Sequence, residues 1–313
     1  LEDPLLLTGR GRFTDDVSLP NQAHAAILRS PHAHARIAAI DTSAALGAPG
    51  VIAVLTGADV LAEGLGPIPF TQLHKRHDGT PMTVPPRLAL TAGVARFVGD
   101  PIAMVVAERR EQARDATELI EVDWEPLPAV ADLERSATAH SPVVWPDAFD
   151  AVYGNHAALY RAGNRDAAAA FFAGANHVVR LRVVNQRVVA NPLEPRALAA
   201  SYDAQGGRYT LYCPTQNVHT VRRQLAAGVF KLPEDRFRIV CTDMGGGFGA
   251  RGYAYPEHAA LCFAAHRTGR PVKWLADRSE NFLAEVHGRN NVTVAELAIG
   301  ADHRFLALKI HTL

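Results

Sequence analysis

The stretch that decides the fold of this chain is Met244-Gly245-Gly246-Gly247-Phe248-Gly249-Ala250-Arg251. It follows a strand-like run at residues 236–242 and precedes an apolar, helix-like run at residues 256–267. Three consecutive glycines carry no Cβ, so the backbone of this turn can approach a ligand closely and present its amide hydrogens to it. Phe248 places one large aromatic face beside the same turn. The stretch therefore predicts a ligand-binding loop between a strand and a helix.

A nucleotide-dependent Rossmann dehydrogenase is a competing hypothesis for the same residues. Gly245, Gly247 and Ala250 satisfy the G-x-G-x-x-A fingerprint of dinucleotide-binding loops. That fingerprint normally opens a parallel βαβ unit, whereas here it follows a hairpin-like region with Gly206-Gly207 at its turn. A glycine-rich turn without a ligand is a further alternative. It is unattractive because four glycines within residues 245–249 cost backbone entropy without an evident packing gain.

The composition of the chain limits its partners. The 313 residues are 48% hydrophobic and 20% charged, which suits more than one globular domain. The 32 basic and 32 acidic residues cancel, so we expect a small-molecule substrate and protein partners rather than nucleic acid. No apolar run reaches the roughly 20 residues that span a bilayer, so no membrane span is expected. The three cysteines form no CxxC pair and are interpreted as reduced core thiols, and residues 1–10 show no signal-peptide pattern, so a cytoplasmic location is expected.

Proline punctuation and weak periodicity indicate a linker at residues 131–162. We therefore expect two segments, residues 1–130 and 163–313, each with its own hydrophobic core. In the second segment, apolar residues at 179, 181 and 183 alternate with arginines, which predicts a half-buried strand. A further strand at residues 305–313 would end the chain within a sheet, so more polypeptide is expected beyond Leu313.

Other motif residues extend along nearly the whole chain in a fixed order. They include Thr8-Gly-Arg-Gly-Arg-Phe-Thr-Asp-Asp16, Leu193-Glu-Pro-Arg196, Thr215-Gln216, Tyr255-Pro-Glu257 and Asp277-Arg-Ser-Glu280. With the glycine stretch, they resemble the large, molybdenum-cofactor-binding subunit of the xanthine oxidase family, most nearly its aerobic carbon monoxide dehydrogenase type. The resemblance implies an α+β fold with mixed and antiparallel sheets and flanking helices. An α/β hammerhead domain would occupy residues 1–130, and the first molybdenum-cofactor-binding domain, incomplete here, residues 163–313.

The resemblance also implies a site. Gln216 would donate a hydrogen bond to the apical oxo ligand of molybdenum, and residues 247–249 would line the metal centre. From the residues alone, Gln216 is better explained as a surface residue that caps a helix. No side chain of this chain is expected to bind a metal, and the catalytic glutamate of the family is expected beyond Leu313. The predicted cofactor-binding residues are Gln216, Gly246, Gly247, Phe248, Gly249 and Arg251.

The implied activity is that of an oxidoreductase that hydroxylates an aldehyde or an N-heterocycle, or oxidises CO, with water as the oxygen source. Purine-oxidising relatives carry a glutamate where this chain has Gly252, which disfavours xanthine. The expected cofactor is molybdopterin, in the cytosine dinucleotide form, with molybdenum. A 2Fe-2S subunit, a flavin (FAD) subunit and the remainder of the large subunit would be its partners, in a dimer of heterotrimers. A chain of this extent is expected to be inactive alone, and a non-catalytic assembly module with the same fold is the second alternative.

Overall fold

A computed structural model describes residues 3–148 and 154–313 of the chain. The helices are α1 (Asp3–Leu7), α2 (Ser43–Leu46), α3 (Gly57–Ala62), α4 (Arg110–Thr117), α5 (Leu133–Ser136), α6 (Arg165–Ala173), α7 (Val218–Arg223), α8 (Pro256–Thr268) and α9 (Arg278–Ala284). A π-helix, Gln224–Phe230, continues α7, and short 3-10 turns lie at Thr14–Asp16 and Glu234–Arg236.

The strands follow the same chain order. They are β1 (Ala23–Arg29), β2 (Ala35–Asp41), β3 (Val51–Thr56), β4 (Val94–Ala95), β5 (Pro101–Ala107), β6 (Glu121–Pro126), β7 (His177–Asn185), β8 (Val188–Val189), β9 (Ala197–Asp203), β10 (Arg208–Tyr212), β11 (Phe237–Val240), β12 (Val272–Leu275), β13 (His287–Gly288), β14 (Asn291–Ile299) and β15 (Phe305–Thr312). Helices and mixed sheets together confirm the predicted α+β class.

The described residues divide into two compact units. Unit 1 lies within Leu1–Thr71, Pro86–Pro128 and Ala190–Val286. Unit 2 lies within Gln72–Pro85, Ala129–Val189 and His287–Leu313. Each unit therefore combines stretches that are distant in the sequence.

Unit 1 is built on a mixed seven-stranded sheet in the order β11-β10-β9-β12-β1-β5-β3. At its centre β1 pairs in parallel with β12, with Ala23 opposite Val272. On its other side β1 pairs antiparallel with β5. Every residue of β5 is buried, as its uninterrupted apolar sequence requires. A smaller antiparallel sheet, β4-β2-β6, belongs to the same unit.

The hydrophobic core of unit 1 draws on both segments of the sequence, so the expectation of two separate cores is wrong. One continuous cluster contains Ala25 and Met104 from the first segment together with Leu198, Leu225 and Trp274 from the second. The reason is the β1–β12 pairing, which places strands from both segments side by side under the same helices. Periodicity along one strand does not reveal which distant strand will be its neighbour.

Helix α8 lies at the centre of this core. Pro256 occupies its first turn, and Gly269 ends it in the left-handed conformation with φ of 64°. Its first ten residues are all buried, including the charged Glu257. A helix that is enclosed on every side fixes the position of the loop that leads into it.

The topology around the glycine stretch differs from that of a Rossmann unit. The preceding strand, β11, lies at the edge of the sheet, and the strand that follows α8 is β12. Two strands, β10 and β9, separate them, and β9 runs antiparallel to both β10 and β12. A dinucleotide-binding loop requires adjacent parallel strands joined by the helix, so this alternative is not supported.

Unit 2 contains the antiparallel sheet β15-β14-β7 and the short pair β13-β8. Strand β7 forms where the alternation predicts it, but all nine of its residues are exposed, with Leu181 60% exposed. The expectation of half-burial is therefore wrong within the described residues. Alternation establishes the strand and its two faces, whereas burial depends on what packs against them.

Candidate functional site

The glycine stretch forms a tight loop between β11 and α8. Gly247 adjoins the side chain of Gln216 so closely that a Cβ atom at this position would lie 2.6 Å from the Gln216 Cδ. Gly246 has φ of 108°, a conformation that residues with side chains avoid. The loop therefore needs glycine both for close approach and for its backbone path.

Gln216 is held by the far end of the same loop. Its Oε1 accepts hydrogen bonds from the backbone N–H groups of Gly249 at 3.0 Å and Arg251 at 3.2 Å. Because backbone N–H groups only donate, the atom facing them must be the amide oxygen, and the Nε2 group points elsewhere. Within the described part of the chain, Nε2 has no hydrogen-bond partner. Gln216 thus offers an outward donor.

Gln216 is not the cap of α7. The N-cap is the next residue, Asn217, whose side chain accepts the N–H of Thr220 at 3.0 Å. The explanation of Gln216 as a capping residue is therefore wrong, although Gln216 is exposed as that explanation expects.

Three successive backbone amides of the loop, at residues 246–248, have no hydrogen-bond partner among the described residues. Phe248 and Gly249 have φ values of 49° and 85°, in the left-handed region, and the N–H of Gly249 donates to Gln216. The ring of Phe248 is 76% exposed and lies against Gly246. Together with the Gln216 amide, the loop presents neutral donors that suit the acceptor atoms of an anionic or oxo-bearing group.

Arg251, the sixth predicted binding residue, lies under the loop instead of at its surface. Its side chain is 1% exposed and its Nη1 donates to the Glu194 carboxylate at 2.8 Å. Glu194 also accepts the backbone N–H of Gly245 at 2.9 Å. The guanidinium group of Arg251 therefore supports the loop and is not available for direct contact with a ligand.

A second buried group of charges lies where α8 begins. Glu257, 2% exposed, accepts hydrogen bonds from Arg196 at 2.8 and 3.1 Å and from Arg29 at 2.7 Å. Arg29 also pairs with Glu280 at 2.8 Å. Burial opposes ionisation of Glu257, but Arg196 and Arg29 outweigh it and hold the pKa of its carboxyl well below the usual range.

The sequence alone does not predict this group of charges, although Arg196, Glu257 and Glu280 lie within the motif blocks. These residues come from distant parts of the sequence. They converge because β1, α8, α9 and the residue before β9 meet, which brings together Arg29, Glu257, Glu280 and Arg196. One signal was available. Glu257 is a charged residue at the start of a helix whose residues 259–265 are all apolar, and such a residue needs a partner when it is buried.

A small cavity lies beside these charges. It is about 10 Å³ in volume, room for roughly one water molecule. Among its lining residues is His258, whose Nδ1 accepts the N–H of Tyr255 at 2.8 Å. Burial lowers the pKa of His258 to about 4, so the ring is neutral at pH 7 and carries its proton on Nε2.

Among residues 3–148 and 154–313, no group of three or more His, Cys, Asp or Glu side chains is arranged to hold a metal ion. No described helix is both long enough and apolar enough to cross a membrane.

Comparison with known proteins identifies both segments. The family described as aldehyde oxidase and xanthine dehydrogenase, a/b hammerhead domain, matches residues 8–128. The family described as molybdopterin cofactor-binding domain matches residues 149–313. The nicotine 6-hydroxylase large subunit of Paenarthrobacter nicotinovorans is 36% identical over the whole chain, which covers 37% of that protein. The carbon monoxide dehydrogenase large chain of Afipia carboxidovorans is 34% identical over the whole chain, which covers 38% of that protein.

Solved structures agree with these matches. Quinoline 2-oxidoreductase from Pseudomonas putida 86 is similar with a TM-score of 0.86 and 36% identity, over 99% of this chain and 38% of that one. The present chain thus spans less than two fifths of the length of these relatives. The family resemblance that the motifs suggested is confirmed, and the chain belongs to the molybdopterin-binding large subunits of the aldehyde oxidase and xanthine dehydrogenase family.

Proposed function

We propose that this chain is the front part of the large subunit of a molybdenum hydroxylase that oxidises an aldehyde, an N-heterocycle or CO with water as the oxygen source. The observation that carries the proposal is the loop at residues 245–251 beside Gln216. Its unpartnered amides at residues 246–248 and the Gln216 Nε2 group form a set of neutral donors. Such donors fit a cofactor with oxo and anionic acceptor atoms without adding charge next to it.

Each predicted residue has a role in this proposal. Gln216 would donate from Nε2 to an oxygen acceptor of the cofactor, and the backbone of residues 246–249 would line it, with the exposed ring of Phe248 as an apolar wall. Arg251 acts from beneath, through its contact with Glu194. When bound, the molybdenum cofactor supplies the oxygen-transfer and two-electron chemistry, and the protein supplies position and orientation. No catalytic residue is assigned within this chain.

The finer assignments extend the same proposal. The cofactor is molybdopterin in its cytosine dinucleotide form. The protein partners are an iron–sulfur subunit with a 2Fe-2S centre and a flavin subunit with FAD, assembled as a dimer of heterotrimers in the cytoplasm. The segments are a hammerhead domain at residues 1–130, a linker at 131–162 and a cofactor-binding domain at 163–313. The relatives named large subunit and large chain support a complex of several subunits.

The test measures the cofactor and the activity of the complex that contains this chain. Metal analysis and pterin extraction should give molybdenum and pterin, and dye reduction should respond to aldehydes, N-heterocycles or CO. Gln216→Ala should lower molybdenum content or turnover about 10- to 100-fold, the range for losing a group that orients a metal site. Gln205→Ala, at an exposed turn between β9 and β10, is the matched control. Bound NAD without molybdenum, or full activity in Gln216→Ala, would overturn the proposal.

A further inference from the structure

One carboxylate joins the two ends of the glycine loop. The Glu194 Oε2 accepts the backbone N–H of Gly245 at 2.9 Å and the Arg251 Nη1 at 2.8 Å. Arg251 also donates from Nη2 to the backbone carbonyl of Glu194. The side chains are 9% and 1% exposed, so water competes little for these bonds. Glu194 and Arg251 together form a clasp across residues 245–251.

The backbone of Arg251 is hydrogen-bonded to Gln216. Its N–H donates to the Gln216 Oε1, and its carbonyl accepts the Gln216 N–H at 2.9 Å and the Thr215 hydroxyl at 2.9 Å. An arginine whose guanidinium is fixed has little freedom to move these backbone groups. The clasp therefore determines which face of the Gln216 amide is occupied by the loop and which face stays free.

Glu285 is a second buried carboxylate close to Arg251. Its Oε1 lies 3.8 Å from the Arg251 Nε, and both atoms are buried without a hydrogen-bond partner among the described residues. Asn281 donates to the other oxygen of Glu285 at 3.2 Å. If Glu194 lost its charge, Arg251 would still face a buried carboxylate and could shift toward it. A neutral variant at position 194 should thus keep its fold while it releases the loop.

We propose that Glu194 and Arg251 are positioning residues for Gln216, and that their clasp makes the Gln216 amide present its NH₂ group, not its oxygen, to the cofactor. The inference rests on the proposed function, in which that NH₂ group meets an oxygen acceptor of the cofactor. An amide turned the other way would set oxygen against oxygen and lose the hydrogen bond.

The first arm of the test reads the loop directly and needs no cofactor. In the purified complex, Glu194→Gln should speed hydrogen exchange of the Gly249 and Arg251 amides about 10-fold or more, because their bonds to Gln216 loosen. Exchange in α8 and β9 should stay as in the wild type. Glu234→Gln, which removes the charge from an exposed pair with Arg222, is the matched control and should change neither region.

The second arm reads the metal centre. Glu194→Gln should shift the paramagnetic resonance signature of the one-electron-reduced molybdenum and lower kcat about 10-fold or more, with KM nearly unchanged. If the substitution only reduced the amount of folded protein, the paramagnetic resonance signal would become weaker without shifting. Arg251→Lys keeps the charge but loses the two-pronged contact, so it provides the same test if Glu194→Gln does not fold.

The two arms separate the inference from the function on which it rests. Unchanged loop exchange with an unchanged molybdenum signature would overturn the clasp while leaving the function intact. Faster exchange throughout α8 and β9 would also overturn it, since Glu194 would then stabilise the whole unit. If the wild type held no molybdenum, the proposed function would fail, and the exchange arm alone would still decide whether the pair holds Gln216.

Discussion

Replacing Glu257 with glutamine should strongly destabilise unit 1. The carboxylate makes three charge-assisted hydrogen bonds, two to Arg196 and one to Arg29, and all three side chains are at most 8% exposed. Glutamine keeps the shape but removes the charge, so Arg196 is left with no carboxylate partner. Breaking a buried ion pair in this way typically costs about 3–5 kcal/mol. Arg29 retains Glu280, which places the expected loss at the lower end of that range.

The assay is urea unfolding followed by circular dichroism, at pH 7 and at lower pH. Glu234→Gln, from an ion pair in which both side chains are about 40% exposed, should cost no more than about 1 kcal/mol. The folded-state pKa of Glu257 lies below its ordinary 4.5, so its stabilisation is complete above pH 4.5 and is lost as the pH falls through the folded value. The difference in free energy of unfolding between the wild type and Glu257→Gln should therefore be constant above pH 5 and shrink well below pH 4.5. A loss under about 1 kcal/mol at pH 7 would refute the reasoning.

Two further predictions follow from the same region. His258 has a folded-state pKa of about 4 against an ordinary 6.5, so the free energy of unfolding should fall by about 3 kcal/mol as the pH falls from 6.5 toward 4. His258→Asn should flatten that part of a plot of the free energy of unfolding against pH. An unaltered slope would contradict the assignment. Gly247→Ala should push the Gln216 amide aside and lower molybdenum content or turnover about 10- to 100-fold, because the added Cβ would sit 2.6 Å from Cδ. Because Gln216 is exposed, water can replace its two hydrogen bonds to the loop when the side chain moves, so the free energy of unfolding should change by under about 1 kcal/mol. Full activity in this variant would count against the site.

Local patterns in the sequence were sufficient to predict most of the elements around the site. The hairpin at Gly206-Gly207, the helix that begins at Pro256 and ends at Gly269, and the strand before the glycine loop all form where turn chemistry and periodicity predict them. These features depend on neighbours within a few residues, for which backbone sterics and capping provide direct rules.

Non-local relations could not be predicted in the same way. The prediction of a strand at β7 is confirmed, but the alternation of its residues does not show that all nine of them stay exposed. The buried position of Arg251 depends on Glu194, 57 residues earlier in the chain. The convergence of Arg29 and Glu257 spans 228 residues. The motif blocks contain Glu194, Arg251 and Glu257 but not Arg29, and only the packed strands show which of these residues meet and therefore which support the site and which face a ligand.

The parallel pairing of β1 with β12 has a consequence for synthesis of the protein. Val272 is translated about 250 residues after its partner Ala23. At the usual 5–20 residues per second, the ribosome needs roughly 12–50 s to cover that distance. Once β3 and β5 have also been made, these strands and β1 can pair with one another, but until β12 follows, the central edge of their sheet has no strand beside it. An apolar nascent sheet with an open edge is prone to aggregation, so we expect folding to benefit from a chaperone until β12 leaves the ribosome.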